Sequence, residues 1–242
     1  MQLKMNLKVL SESAVTAAKI AGKFLLEHKD LDKTVHEESG RDIKLELDRL
    51  TEKIIHDELK DTNIPFFGEE FGGLNSGLRW VVDPIDGTAN YFRGLDQCCI
   101  SIALMKDDSA LIGVIFNFNT DEMFSATKGH GAFLNNEKIS VSNIKEKNKA
   151  SLTTGFPASE SLESSMEFLE GLKEWKKIRM FGSAALSCAY VASGKCDFYA
   201  EKGVYLWDFA AGICLVEEAG GKAEYIVIDD QRFSVKFSNN LL

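Results

Sequence analysis

Residues 80–90 read WVVDPIDGTAN, and this stretch decides how the rest of the chain is read. An apolar run of Trp80, Val81 and Val82 ends in Asp83, and Asp86, Gly87 and Thr88 follow within a tight turn. β-branched and aromatic residues closed by Asp-Pro and Asp-Gly predict a buried strand that delivers its end into a loop. Pro84 has a fixed φ and no N–H, which argues against the strand continuing as a ladder. The loop then holds two carboxylates in a small volume, where they repel unless a cation lies between them. Hard oxygen ligands with no His or Cys beside them suit Mg²⁺. Gly87 lets a ligand approach the backbone, and the N–H groups of Gly87 and Thr88 are placed to face a phosphate oxygen.

Asp, Pro and Gly are also ordinary turn residues, so a plain turn stays open at this point. The D-x-D-x-T nucleophile motif of haloacid-dehalogenase-type phosphatases fits poorly, because Pro84 and Ile85 put one residue too many between the aspartates.

Immediately upstream, residues 64–67 predict a short strand with Gly68-Glu69-Glu70 at its end, and residues 72–77 a loop leading to Trp80. Glu69 and Glu70 read either as a second strand end carrying carboxylates or as a solvated loop. Before them a helix is expected with Leu47, Leu50, Ile54 and Leu59 on one face. Asp48 falls in its first turn, where a carboxylate is favoured by the helix dipole or serves as a cap. Asp42 reads as a turn residue or as part of the lead into that helix. Residues 29–40 are polar and read as a loop or frayed hairpin. Residues 6–28 read as a helix, with Leu10, Ala14, Ala17, Ala18, Ala21, Phe24 and Leu25 at helical spacing.

Downstream, residues 98–105 and 110–118 are apolar and β-branched around a polar turn, which predicts a hairpin. Another strand follows over residues 121–127. Residues 128–136 are glycine-rich without P-loop spacing and read as a chain of turns. The polar stretch 142–149 is the expected boundary between two lobes. Strands and helices then alternate, which argues α/β layering. Strands are expected over residues 152–156, 177–181 and 196–200. Helices are expected over residues 161–173, with Leu162, Met166, Phe168, Leu169 and Leu172 as the apolar side, and over residues 182–192 and 208–220. A last strand pair closes the chain. The Gly182-Ser183 helix opening would offer free N–H groups to a ligand.

With 242 residues, 45% of them hydrophobic and 27% charged, the chain can bury a sizeable core. The net charge of −9 argues against general binding to nucleic acid or an anionic membrane. Five cysteines without zinc spacing fit a reduced, cytoplasmic setting. Neither a leader pattern nor an apolar run of membrane-spanning length is expected. His28, His36, His56 and His130 lie in polar contexts and are given no catalytic role.

Glu69 in GEE, Asp83 and Asp86 in WVVDPIDGTAN, and Asp208 in WDFAAG together resemble the inositol monophosphatase family. KGHGAFLNNEKISVS and EEAGG agree with that resemblance, which covers nearly the whole chain. It implies a layered α/β sandwich (alternating α-β-α-β-α layers) with two intimately packed lobes. The whole chain, 1–242, would be one phosphatase domain, its lobes spanning about 1–145 and 146–242, in a homodimer. It implies lithium-sensitive, Mg²⁺-dependent hydrolysis of a small-molecule phosphate ester, with two metals and a weaker third. By match to the family's motifs, Glu69, Asp83 and the carbonyl of Ile85 resemble ligands of the first metal. Asp83, Asp86 and Asp208 resemble those of the second, and a third would again involve Glu69. Gly87 and Thr88 resemble the phosphate cradle, and Asp48 the partner with which Thr88 orients the attacking water. Gly182, Ser183, Ala184 and Glu201 match segments that hold the alcohol portion. Glu201 is expected to precede Asp208 across a short loop, residues 202–207.

The two-metal chemistry is sound on its own terms, since phosphoryl transfer needs charge neutralisation and a positioned nucleophile rather than a covalent intermediate. Departures bear on substrate. Leu45-Glu46-Leu47 stands where the family is often threonine-rich, a lysine before Asp42 is not clearly placed, and Phe181 and Tyr205 bring aromatic bulk. A small polyol or sugar phosphate is the leading expectation. A nucleotide bisphosphate, and a regulatory binding protein that keeps the fold, are the alternatives.

Overall fold

The computed structural model of the chain describes residues 6–29, 35–39, 42–156 and 161–242. Helix α1 (Leu7–Glu27) opens at Asn6, whose side chain accepts from the N–H groups of Lys8 and Val9. A hairpin of β1 (Val35–Ser39) and β2 (Asp42–Leu45) leads into α2 (Glu46–Leu59). The stretch expected as loop or hairpin is therefore a hairpin in part. Residues 30–34 and 40–41, Arg41 among them, lie outside the described residues.

The first large sheet is built from β3 (Phe66–Gly68), β4 (Gly72–Gly73), β5 (Leu78–Asp86), β6 (Cys99–Lys106), β7 (Ser109–Asn117), β8 (Glu122–Thr127), β9 (Gly131–Leu134) and β10 (Glu137–Ile139). Its order is β10-β9-β8-β7-β6-β5-β3-β4, and only β3 and β5 run parallel. Helix α3 (Thr88–Arg93) follows β5 directly. Two expectations are corrected here. The loop over residues 72–77 contains the short strand β4. The presumed turns of residues 128–136 hold β9 and the hinge into β10. Asn135 and Asn136 make that hinge at φ 47° and 70°, the left-handed pair a two-residue hairpin turn requires, with asparagine tolerating what glycine usually supplies.

The second sheet comprises β11 (Ser151–Thr154), β12 (Lys177–Arg179), β13 (Phe198–Tyr205), β14 (Lys222–Val227) and β15 (Arg232–Ser238) in the order β12-β11-β13-β15-β14. Helix α4 (Leu162–Leu172) links β11 to β12, α5 (Ala184–Ala192) links β12 to β13, and α6 (Leu206–Glu218) follows β13. β11 is parallel to both β12 and β13. The two crossovers move in opposite directions along the sheet, so right-handedness puts α4 and α5 on opposite faces. The layers are thus α1/α2, the eight-stranded sheet, α5/α6, the five-stranded sheet, and α4.

Side-chain alternation divides the core. Trp80 and Val82 join Ala14, Ala17, Ala18, Ala21, Leu25, Ile55 and Leu59 on the α1/α2 side, while Val81 faces the cluster of Phe209, Ala210, Leu215, Tyr199 and Phe237. Each fully buried Leu, Ile or Val among these contributes on the order of 1.5–3 kcal/mol. The face expected for α2 is rotated in one respect: Leu50 is 43% exposed, and Asp48, Thr51, Glu52, Ile55 and Leu59 form the buried stripe. Two polar carboxylates therefore occupy positions that a hydrophobic count alone would not assign to the interior. On α4, Leu162, Met166 and Leu169 are exposed and only Leu172 is buried, so most of its apolar side faces outward.

Strand β5 does not stop at Pro84 but runs on to Asp86, through a register shift. Asp83 pairs with Ser101 and Asp86 with Cys99, so three steps on β5 match two on β6. Pro84 is accommodated because a bulge leaves a residue without a ladder bond. In a regular strand Asp83 and Asp86 would point to opposite faces, being an odd number apart. The extra residue restores their parity. Ile85 falls into the α1/α2 core while both aspartates turn to the α5/α6 side.

Candidate metal centre and its surroundings

Three carboxylates converge where β5, α5 and α6 meet. Asp83, Asp86 and Asp208 each offer an oxygen, and these oxygens all lie within 4.8 Å of one another. Asp83 and Asp86 are 2% and 6% exposed. Asp208 sits in the first turn of α6, where its Oδ2 accepts the Tyr205 N–H at 2.8 Å. Burial pushes the Asp83 carboxyl well above the usual range, and the charges of Glu69, Asp86, Asp208 and Asp48 push it further. Burial and then the charges of Asp86 and Glu69 do the same to Asp208. Crowded carboxylates that repel one another are the donor set a hard divalent cation neutralises. Asp83, Asp86, Asp208 and the neighbouring Glu69 fit such an ion.

Glu69 lies just beyond β3, where its N–H donates to the Val82 carbonyl at 3.2 Å, beside the strand that carries Asp83. It stands outside the tightest group of three, yet its charge is the largest electrostatic influence on Asp83. Ile85 donates its N–H to Asp83 Oδ1 at 3.0 Å, and its carbonyl accepts the Thr88 hydroxyl at 2.9 Å. That carbonyl keeps a second lone pair. Thr88 Oγ1 also lies 3.3 Å from Asp48 Oδ1, so Asp48, buried in the first turn of α2, faces the site. Gly87 has φ 86°, and a Cβ there would meet the Gln97 carbonyl oxygen at 2.8 Å, so only glycine makes this turn from β5 into α3.

The opening of α5 is occupied differently from the expectation of free N–H groups. Ala184 N donates to Asp86 Oδ1 at 3.2 Å and Ala185 N to Asp86 Oδ2 at 2.9 Å. The Ser183 hydroxyl also donates to Asp86 and accepts the Leu186 N–H at 3.2 Å. The helix terminus thus grips a carboxylate of the chain itself. Burial raises the Asp86 carboxyl, while the bonds from Ser183, Ala185, Ala184 and Cys99 oppose the rise. The Cys99 thiol lies 3.6 Å from Asp86 Oδ2.

Glu201 lies within β13, which runs on to Tyr205, and α6 starts at Leu206. The short loop expected between Glu201 and Asp208 does not exist; a strand end and a helix start connect them. Burial pushes the Glu201 carboxyl up to about 7, the charge of Asp86 adds to this, and hydrogen bonds from Tyr199 and the Gly155 backbone oppose it. Tyr199 Oη lies 3.0 Å from Glu201 Oε2. A Cβ on Gly155 would stand 1.9 Å from Glu201 Oε1, so the carboxylate fills the space that glycine leaves.

Sequence reasoning missed Cys99, Ala185, Tyr199 and Glu52. Tyr199 had a signal, two residues before Glu201 and so on the same face of a strand. Glu52 had one as well, a helical turn beyond Asp48. Cys99 and Ala185 had none.

A model described as the inositol monophosphatase family matches residues 6–233. The Nus factor SuhB of Xylella fastidiosa is 43% identical over 86% of this chain and 78% of its own length. The inositol-1-monophosphatase of Rhizobium meliloti is 38% identical over 72% of this chain and 68% of its own. Among solved structures, the extragenic suppressor protein suhB from Bartonella henselae superimposes with a TM-score of 0.87 at 33% identity, covering 93% of each chain.

Proposed function

The chain belongs to the inositol monophosphatase family, and from that premise we propose that it is a Mg²⁺-dependent phosphomonoesterase acting on a small polyol or sugar phosphate. The observation that carries the reading is the set of three carboxylates with oxygens within 4.8 Å, Asp83 and Asp86 buried and Asp208 half-buried, each pushed toward the protonated form by desolvation. Asp83, Asp86 and Asp208, with Glu69 and the Ile85 carbonyl, would hold two cations, and Glu69 would share in a weaker third. Bound there, Mg²⁺ would supply charge neutralisation and water activation for phosphoryl transfer.

The protein's own groups carry the remaining tasks. Asp48 and Thr88 orient the attacking water and take up its proton toward the Asp48 carboxylate. Gly87 and Thr88, at the start of α3, receive the phosphate oxygens through backbone N–H groups. Gly182, Ser183, Ala184 and Glu201 border the alcohol portion. Of these, Glu201 is placed to accept its hydroxyls, since an ionised carboxylate is a strong acceptor and a poor neighbour for a second phosphate. That favours polyol and sugar monophosphates over nucleotide bisphosphates.

The division of strands into a sheet built before residue 140 and another after residue 150 supports one phosphatase domain of two lobes that meet near residue 145. A cytoplasmic homodimer is part of the same proposal. Among the described residues no helix is long and apolar enough to cross a membrane.

A second reading, a regulatory binding protein, is favoured by the name Nus factor carried by the 43% identical relative. Turnover of a panel of inositol, sugar and nucleotide phosphates, with and without Mg²⁺ and across a lithium titration, separates the readings. Mg²⁺-dependent, lithium-inhibited release of phosphate from the polyol or sugar substrates is expected. No turnover of any ester at saturating Mg²⁺ would leave the regulatory reading.

A further inference from the structure

The turn that carries Glu69 is held from α2 by a residue outside the acidic cluster. Glu52 is 0% exposed. It stands one helical turn beyond Asp48, so two carboxylates project from the same face of α2. Asp48 reaches Thr88. Glu52 reaches the chain just past Glu69, where its Oε2 accepts the Glu70 N–H at 2.8 Å and its Oε1 the Phe71 N–H at 3.0 Å.

Two consecutive N–H groups on one carboxylate fix the course of the backbone at that point. On the other side of the turn, Glu69 N–H is bonded to Val82 O, next to Asp83. Gly68 completes the clamp. Its φ is not left-handed, so flexibility does not call for glycine, but a Cβ there would lie 2.1 Å from Glu52 Oε1. An apolar side chain in place of Glu52 would avoid burying a charge, yet it would leave both N–H groups without their acceptor. Glu69 is therefore gripped at its own N–H and at the two that follow. That backbone bond to Val82 sets Glu69 beside the strand that carries Asp83, and its charge acts on Asp83 and Asp208.

We infer that Glu52 is a positioning residue that fixes Glu69 against Asp83 and Asp208 and so sets the affinity of the centre for its divalent cation. This rests on the reading of Glu69 as a cation ligand.

The test titrates Mn²⁺ against the full chain and follows the free ion by electron paramagnetic resonance, with circular dichroism as the check on folding. Glu52→Gln keeps the shape but replaces one acceptor by a donor that confronts a backbone N–H. Its dissociation constant for Mn²⁺ is expected to rise about 10-fold or more, as for other residues that hold a metal ligand in place. Gly68→Ala, which displaces the Glu52 carboxylate from outside, gives the same rise and serves if the first variant does not fold. The double variant Glu52→Gln/Glu69→Gln is expected to bind no more weakly than Glu69→Gln alone, because Glu52 acts only through Glu69. Wild-type affinity in a folded Glu52→Gln or Gly68→Ala, or additive losses in the double variant, overturns the inference. Unchanged affinity in Glu69→Gln overturns the ligand reading itself and the inference with it.

Discussion

The backbone N–H of Ala185 donates to Asp86 Oδ2 at 2.9 Å across 99 positions of sequence. With Ala184 N and the Ser183 hydroxyl it sets an acidic side chain at the end of α5. Asp86 is thereby oriented before any cation arrives, with one set of its lone pairs committed to the helix. Ser183→Ala removes the hydroxyl and leaves the two N–H donors. Metal affinity is expected to fall about 10-fold, and stability by about 1 kcal/mol from loss of the cap on Leu186. Calorimetric Mg²⁺ titration and thermal melts of the variant check both. Unaltered Mg²⁺ binding would mean that Asp86 is oriented by the backbone alone.

Burial, and then the charges of Glu69, Asp86, Asp208 and Asp48, push the Asp83 carboxyl upward. Asp83→Asn removes a buried charge from a repelling group. Turnover is expected to drop by more than about 100-fold, while the metal-free protein melts no lower than the parent. Steady-state rates and calorimetry of the same preparation provide the comparison. A folded variant with most of its kcat would remove Asp83 from the centre.

If Mg²⁺ is held only by the folded arrangement of Asp83, Asp86 and Asp208, it should stabilise the protein by mass action. At about a hundred times the dissociation constant the gain is about 2.7 kcal/mol, which for a chain of this length is roughly 5–10 °C in Tm. Chelation should reverse it fully. A Tm indifferent to Mg²⁺ would count against a divalent site.

For Glu201 the expectation depends on pH. Its ordinary value is near 4.5 and its folded value about 7. The carboxyl is ionised, and able to accept two or more hydroxyls, only above about pH 7. Glu201→Gln should therefore raise KM for a polyol phosphate about 10-fold near pH 8, and much less near pH 6, where the native side chain is already neutral. An aryl phosphate without hydroxyls should show neither effect. The same shift acts on stability. The folded chain holds this proton when the unfolded chain has lost it, so the contribution is full below about pH 4.5 and is lost as pH rises through about 7. Melts of the metal-free Gln variant should lack that decline. Equal KM changes at both pH values would take Glu201 out of contact with the substrate.

Much of the architecture was legible in the sequence because burial leaves a period. The alanines of α1 and the β-branched runs of β6 and β7 declare their faces directly. The acids of the centre were legible as types at strand and helix ends, but their convergence was not. Asp83 and Asp86 are spaced to diverge, and only the bulge at Pro84 and Ile85 brings them to one side. A bulge is a property of two strands together, so neither strand announces it alone. Leu50 was misplaced for a related reason, since the inward face of α2 is defined by Asp48 and Glu52, whose partners lie far along the chain. The opening of α5 looked like a vacant anion site because its anion, Asp86, comes from another layer.

The order in which these parts leave the ribosome has its own consequence. Glu69, Asp83 and Asp86 are synthesised well before Ser183, Ala185 and Asp208. At ordinary elongation rates of about 5–20 residues per second, the early acids wait roughly ten seconds for the helix that orients one of them and for the acid that completes the set. A nascent or truncated chain ending before Asp208 carries Glu69, Asp83 and Asp86 without the acid that completes the cluster. On the proposed reading, divalent-ion capture would mark a finished polypeptide, and a fragment would neither sequester the ion nor hydrolyse an ester ahead of the whole.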